Sequence, residues 1–220
     1  MQAVLFDLDD TLLDKSSSLM DCAWGFQCKY NACAEPEKFI KAFVRENEVI
    51  QPKWAAFRKI AKECALSDSL AEIMHVDFDQ NFAQYCKAFP RALDTVRRLS
   101  NTGIKLAIVT NGRDFFQRNK IEALGLYGYL DAIVTSGELG VKKPTPEIFL
   151  HALDMMGAQA KYSVFCGDSI VADMQPANLL GMTTIWKTQR QSVQPAAVNY
   201  RFTHYSEFGS ILGQIKFDRA

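Results

Sequence analysis

From residue 105 onward, short runs of β-branched and aromatic residues alternate with stretches of helical periodicity. The runs are Lys105–Thr110, Ala132–Ser136, Ser163–Gly167 and Thr183–Trp186, and the helical stretches lie at 114–124, 146–156 and 173–181. A further apolar run, Ala3–Phe6, stands apart near the N-terminus. Strands that alternate with helices and read as continuously apolar belong to a parallel sheet covered on both faces, an α/β fold of Rossmann-like type. Residues 15–89 break the alternation. They carry no strong strand signal but hold helical stretches at Glu37–Glu46, Trp54–Cys64 and Ser69–Lys87, and in the first of these Phe39, Ile40 and Phe43 share a face. Pro90 is expected to open a helix that Gly103 closes. The sequence therefore predicts an α/β core, 1–14 plus 90–220, with a helical insert at 15–89.

Composition narrows the function. The 220 residues are 48% hydrophobic, and Lys+Arg and Asp+Glu are equal at 25 each. No broad basic field exists to gather a nucleic acid polymer or an anionic membrane. No apolar run approaches the ~18 residues of a membrane helix. The opening MQAVLFDLDD turns acidic by Asp7, which predicts no secretory leader and a cytoplasmic protein. Cys22, Cys28, Cys33, Cys64, Cys86 and Cys166 form no C-x-x-C pair and no zinc-like spacing, so reduced, partly buried thiols are expected. Oligomeric expectations stop at a monomer or weak homodimer.

In an open parallel sheet, ligands bind at the carboxyl ends of the strands. Asp7 follows the first apolar run and Asp9 lies two residues on. Thr110-Asn111-Gly112 closes the second run, Gly167-Asp168 closes the fourth with Asp173 close behind, and Lys143-Pro144 follows the third after a loop. Four carboxylates converging on one pocket repel. At ~4 Å and an effective dielectric near ~20 each like-charge pair costs about 4 kcal/mol. A divalent cation with oxygen ligands relieves this, and few protein ligands suit Mg²⁺. Crowding also separates roles, because a metal-bound carboxylate stays ionised while a crowded one holds a proton. Asp7 reads as nucleophile and Asp9 as general acid/base, protonating a leaving alcohol and then activating water. The Thr110 hydroxyl and the backbone N–H groups of Asn111 and Gly112 are candidate donors to an anionic oxygen. The ensemble describes phosphoryl transfer through an aspartyl-phosphate.

These segments resemble the four motifs of the haloacid-dehalogenase superfamily of aspartate-nucleophile phosphatases. They are Asp7-Leu8-Asp9-Asp10-Thr11, Thr110-Asn111-Gly112, Lys143 within Gly-Val-Lys-Lys-Pro-Thr-Pro-Glu-Ile-Phe, and Gly167-Asp168-Ser169 with Asp173 following. The resemblance implies that Asp7 attacks phosphorus and that Asp9 is acid/base and lends its backbone carbonyl to Mg²⁺. It further implies that Asp7 and Asp168 ligate the metal with Asp173 in support, that Thr110, Asn111 and Lys143 hold the phosphoryl group, and that the insert is a cap excluding water. The family places its lysine directly before proline, which selects Lys143 over Lys142. It most often has glycine where this chain has Asp10, which is read here as a loop or helix-capping residue.

The expected partner is a small phosphorylated metabolite, and the expected activity is Mg²⁺-dependent hydrolysis of a phosphomonoester. Dehalogenases lack the second carboxylate and pump-type ATPases carry threonine there, so Asp9 speaks against both. A sugar phosphomutase keeps both aspartates and stays open, as does a non-catalytic binding protein on the same fold, although such a protein is expected to lose a carboxylate or the lysine. The motifs look most like those of 5′-nucleotidases and acylneuraminate phosphatases; sugar-phosphate and phosphoglycolate phosphatases are nearly the same there. His75, His151 and His204 share no motif, and Trp24, Phe26, Tyr30 and Trp54 are expected mainly in the core of the insert.

Overall fold

A computed structural model of the chain describes residues 1–49, 51–188 and 194–217. The elements run β1 (Ala3–Phe6), α1 (Lys15–Tyr30), α2 (Pro36–Glu48), α3 (Lys53–Cys64), α4 (Asp68–Asn81), α5 (Ala92–Ser100), β2 (Lys105–Thr110), α6 (Asp114–Ala123), β3 (Ala132–Thr135), α7 (Ser136–Leu139), α8 (Pro146–Met155), β4 (Ser163–Gly167), α9 (Gln175–Leu179), β5 (Thr183–Lys187), β6 (Tyr200–Phe202) and α10 (Phe208–Gln214). A turn of π-helix, Ile170–Met174, leads into α9.

The strands form one parallel sheet in the order β3-β2-β1-β4-β5-β6. Leu5, Val109, Val134, Phe165 and Trp186 bury one face against Ile148, Phe149 and Leu153 of α8 and Ala177 of α9. Their neighbours Val4, Phe6, Leu106, Ile108, Val164 and Cys166 are fully buried as well. On that side Phe6 meets Phe208 of α10 with ring centroids 5.7 Å apart. Cover on both faces is why the strands lack alternation. It also fixes the site, because β1 is central and the chain order reverses there. Phe6 lies opposite Ile108 of β2 and Cys166 of β4, so the residues just beyond these strands share one edge.

The chain divides into two compact units, Met1–Leu13 with Ala88–Ala220, and Asp14–Lys87. At the crossing Leu13 bridges Ala88 in antiparallel fashion, and the Phe89 N–H donates to the Leu12 carbonyl at 2.9 Å. The smaller unit comprises α1–α4. Asp14 caps α1 by accepting the Ser17 N–H at 3.0 Å, and Ser67 caps α4. Phe43 centres its aromatic core, with ring centroids 5.5–5.9 Å from Phe26, Phe39, Phe57 and Phe78. Burial works against the charge of Asp77, but donors from Lys29, Tyr30 and Asn81 outweigh it and hold the carboxyl below its usual range.

Several expectations are corrected. Pro90 does not open a helix: Arg91 has φ 67°, in the left-handed region, and α5 starts at Ala92. The helix expected over Ser69–Lys87 closes at Asn81, whose side chain turns back to the Asp77 carboxylate, and a 3-10 turn over Phe82–Tyr85 follows. Phe26 is buried in the small unit, but Trp24 and Trp54 are about half exposed and do not belong to its core. No disulfide joins the six cysteines, and burial pushes the Cys166 and Cys22 thiols well up.

Candidate active site

Asp7 follows β1 directly and is almost fully buried. One of its oxygens accepts Lys143 Nζ at 2.5 Å and the other accepts Thr11 Oγ1 at 3.2 Å. Lys143, 4% exposed, also stands 2.7 Å from Asp173 Oδ1. That ion pair is the contact of a buried Asp173 oxygen. The other Asp173 oxygen accepts the Ser169 N–H at 3.0 Å. The Asp173 carboxylate fits under β4 only because residue 167 is glycine, where a Cβ would overlap it. Lys142, next in sequence to Lys143, is exposed, as expected.

Asp168 joins this group from the end of β4. One carboxylate oxygen each from Asp7, Asp168 and Asp173 lies within 4.8 Å of the others. Asp173 thus stands in the cluster itself, not merely behind it. Burial is the largest influence on Asp7; Lys143 pulls the other way, Asp173 and Asp168 add to it, and the carboxyl is pushed up to about 8. Burial, then the charges of Asp173 and Asp10, push Asp168 up to about 7. Burial opposes the charge of Lys143, but Asp7 and Asp173 hold its ammonium well above the usual lysine range. An all-oxygen cluster of mutually repelling carboxylates, three acids against one lysine, fits a hard divalent cation.

Asp9 stands outside that cluster. Its two oxygens accept Lys120 Nζ at 2.8 and 3.0 Å, and Oδ2 also accepts Gln117 Nε2 at 3.3 Å. Gln117 reaches Thr110 Oγ1 at 2.6 Å and the Asn111 carbonyl at 3.3 Å. Asn111 clamps the lysine loop: its side-chain oxygen accepts the Lys143 N–H at 2.8 Å and its amide donates to the Lys143 carbonyl at 3.0 Å. The side chain of Asn111 is therefore committed to placing Lys143. The Gly112 N–H, expected to face an anion, instead donates to Ser136 Oγ at 2.9 Å, because β3 ends beside β2 and brings that hydroxyl across. Asp10 has φ 59°, which explains why glycine is favoured at this turn and why an aspartate is tolerated.

Gln117 and Lys120 were not singled out in the sequence. The signal was nonetheless there. Gln117, Lys120, Ile121 and Leu124 share one face by i, i+3, i+4 and i+7 spacing, and all are buried, while Phe115 points outward at 67% exposure. A lysine and an amide on the inward face, with a phenylalanine on the outward one, invert the ordinary pattern.

A family model described as haloacid dehalogenase-like hydrolase matches residues 4–187. The chain belongs to this family. Among its curated relatives, glyceraldehyde 3-phosphate phosphatase of Methanopyrus kandleri is 29% identical over 195 residues, covering 84% of this chain and 83% of the relative. N-acylneuraminate-9-phosphatase of Rattus norvegicus is 29% identical over 214 residues, covering 84% and 82%. In fold, the chain resembles a haloacid dehalogenase-type hydrolase of Bacillus subtilis solved bound to magnesium, with a TM-score of 0.74 at 20% identity over 96% and 98% of the two chains. The family and these relatives place the enzyme among the phosphoric monoester hydrolases. No helix among the described residues is long and apolar enough to cross a membrane.

Proposed function

We propose that this enzyme hydrolyses a small phosphomonoester with Mg²⁺, through an aspartyl-phosphate on Asp7. The observation that carries the reading is the convergence of Asp7, Asp168 and Asp173 oxygens within 4.8 Å of one another, with the buried Lys143 on Asp7 and Asp173. Asp7 and Asp168, with Asp173, would hold the cation, together with the Asp9 backbone carbonyl. A bound divalent cation supplies the counter-charge that keeps Asp7 ionised and draws on the phosphoryl oxygens.

The chain's own groups then divide the work. Lys143 and Thr11 orient the Asp7 carboxylate, leaving it to attack phosphorus as the bond to the leaving oxygen breaks. Asp9, protonated on an oxygen released from Lys120, gives that proton to the leaving oxygen and returns to the carboxylate that Lys120 holds. It then takes a proton from the water that attacks phosphorus, and Asp7 and inorganic phosphate are released. Thr110, the Asn111 backbone and Lys143 hold the phosphoryl oxygens. The helical insert acts as the cap that limits the enzyme to small esters. Glyceraldehyde 3-phosphate and N-acylneuraminate 9-phosphate, in the relatives' names, favour sugar and sugar-acid phosphates over nucleotide 5′-monophosphates as substrates.

The test is phosphate release across a panel of phosphorylated metabolites, with Mg²⁺ and with chelator. Asp7→Asn is expected to abolish turnover, and wild-type-like hydrolysis by that variant removes the nucleophile assignment. Isomer formation in place of free phosphate would make the enzyme a phosphomutase.

A further inference from the structure

We propose that Lys120 and Gln117 are positioning residues that fix where the Asp9 carboxylate stands during leaving-group departure. The inference rests on the phosphatase reading above. Both side chains are nearly inaccessible, 3% and 1% exposed, and both reach Asp9 from the same face of α6. The Asp9 side chain is itself 26% exposed, so burial alone does not fix it. An ammonium gripping both oxygens, with an amide on one of them, holds its orientation.

Stability alone does not account for this arrangement. A buried ion pair is often no better than an apolar replacement of similar volume. Here α6 turns a lysine and a glutamine inward and leaves Phe115 in solvent. Gln117 adds a second link. In its ionised form, with Lys120 on both oxygens, Asp9 only accepts, so the Gln117 amide nitrogen faces it, and the same nitrogen reaches Thr110 Oγ1 at 2.6 Å. That contact fills an acceptor site of the Thr110 hydroxyl and leaves its proton to point at an anion. The acid/base and the anion-binding hydroxyl are thereby held in one register. A Cβ on residue 112 would collide with the Gln117 side chain, so Gly112 is part of the same device.

The step in question forms the Asp7–phosphorus bond and breaks the bond from phosphorus to the ester oxygen, which takes the Asp9 proton. p-Nitrophenolate leaves without a proton, whereas phenolate needs one far more. The experiment compares kcat/KM for p-nitrophenyl phosphate and phenyl phosphate. Lys120→Met is expected to lower the phenyl value on the order of tenfold beyond any loss with the nitrophenyl ester. Lys120→Arg restores most of it. In an Asp9→Asn background Lys120→Met adds less than about twofold, because it acts through Asp9. Gln117→Met, which keeps the ion pair, shows the same leaving-group signature on a smaller scale and carries the test if Lys120→Met does not fold. Equal losses on both esters, or additivity with Asp9→Asn, overturn the proposal. Failure of the wild-type enzyme to hydrolyse either ester overturns the phosphatase reading instead.

Discussion

Replacing Lys143 with methionine removes the ammonium that pairs with Asp7 and Asp173 in the carboxylate cluster. Its ammonium is 2.5 Å from Asp7 and 2.7 Å from Asp173, with side-chain exposures of 3%, 9% and 1% for the three residues. Breaking a buried pair by deleting one partner costs about 3–5 kcal/mol. For a chain of this length about 1 kcal/mol moves the melting temperature by ~2–4 °C, so the metal-free variant should melt about 6–20 °C lower at pH 8. The loss should grow above pH 8. Burial already raises the Asp7 carboxyl to about 8 against the pull of Lys143, and without the lysine it rises further. A carboxyl raised in the folded state binds more protons folded than unfolded, so stability falls as pH climbs from the unfolded value of about 3.9 through the folded one. Below about pH 7 Asp7 is protonated in both folded proteins and its contribution cancels; above about pH 8 the wild-type fall levels off while the variant's continues. Thermal melts of metal-free wild type and Lys143→Met at pH 7, 8 and 9 measure the difference. An equal loss at pH 7 and pH 9, or none at pH 8, would show that Lys143 does not carry the charge balance of the site.

The metal-free wild-type protein should itself lose stability between about pH 4 and pH 8, because burial lifts Asp7 to about 8 and Asp168 to about 7 in the folded chain. Mg²⁺ at 100 times its Kd should add about 2.7 kcal/mol at pH 8 and less at pH 5, where protons compete; calorimetry showing the same gain at both would contradict this. Gly167→Ala should force the Asp173 carboxylate out of place and abolish most of the Mg²⁺-induced rise in melting temperature, and a variant that retains the full rise would exclude Asp173 from the cation site.

Much of this was legible in the sequence, for identifiable reasons. Ala3–Phe6, Lys105–Thr110 and Ser163–Gly167 could be read because strands covered on both faces are apolar throughout, and a polar residue marks where each one ends. Tyr200–Phe202 could not, because three residues at the edge of the sheet carry no pattern. Asp7, Asp168 and Lys143 could be located by their position beyond strand ends. What the sequence hides is the partner of each charge. Nothing local says that Lys143 lies on Asp7 and Asp173 while Lys120, 111 residues from Asp9, lies on Asp9. Nor does it say that the Asn111 side chain is taken up by the lysine loop.

Under the proposed mechanism, that division of cations bears on how a nucleophile, Asp7, and an acid/base, Asp9, are kept in separate surroundings. Lys143 serves Asp7 and Asp173, and Lys120 serves Asp9, so each lysine sets the field of a different group. The cluster of Asp7, Asp168 and Asp173 with Lys143, fully ionised, keeps a surplus of two negative charges, with Asp10 close enough to push Asp168 up further. A divalent ion cancels a surplus of that size; a monovalent one leaves half of it, and a third lysine would cancel part of it but offer no vacant coordination for a phosphoryl oxygen. Asp9, already matched by Lys120, gains little from the ion through its side chain. The metal is thus expected to act mainly on the nucleophile, and Lys120 and Gln117 mainly on the acid, which is why their removal should be read in different assays: one in metal-dependent stability, the other in leaving-group dependence.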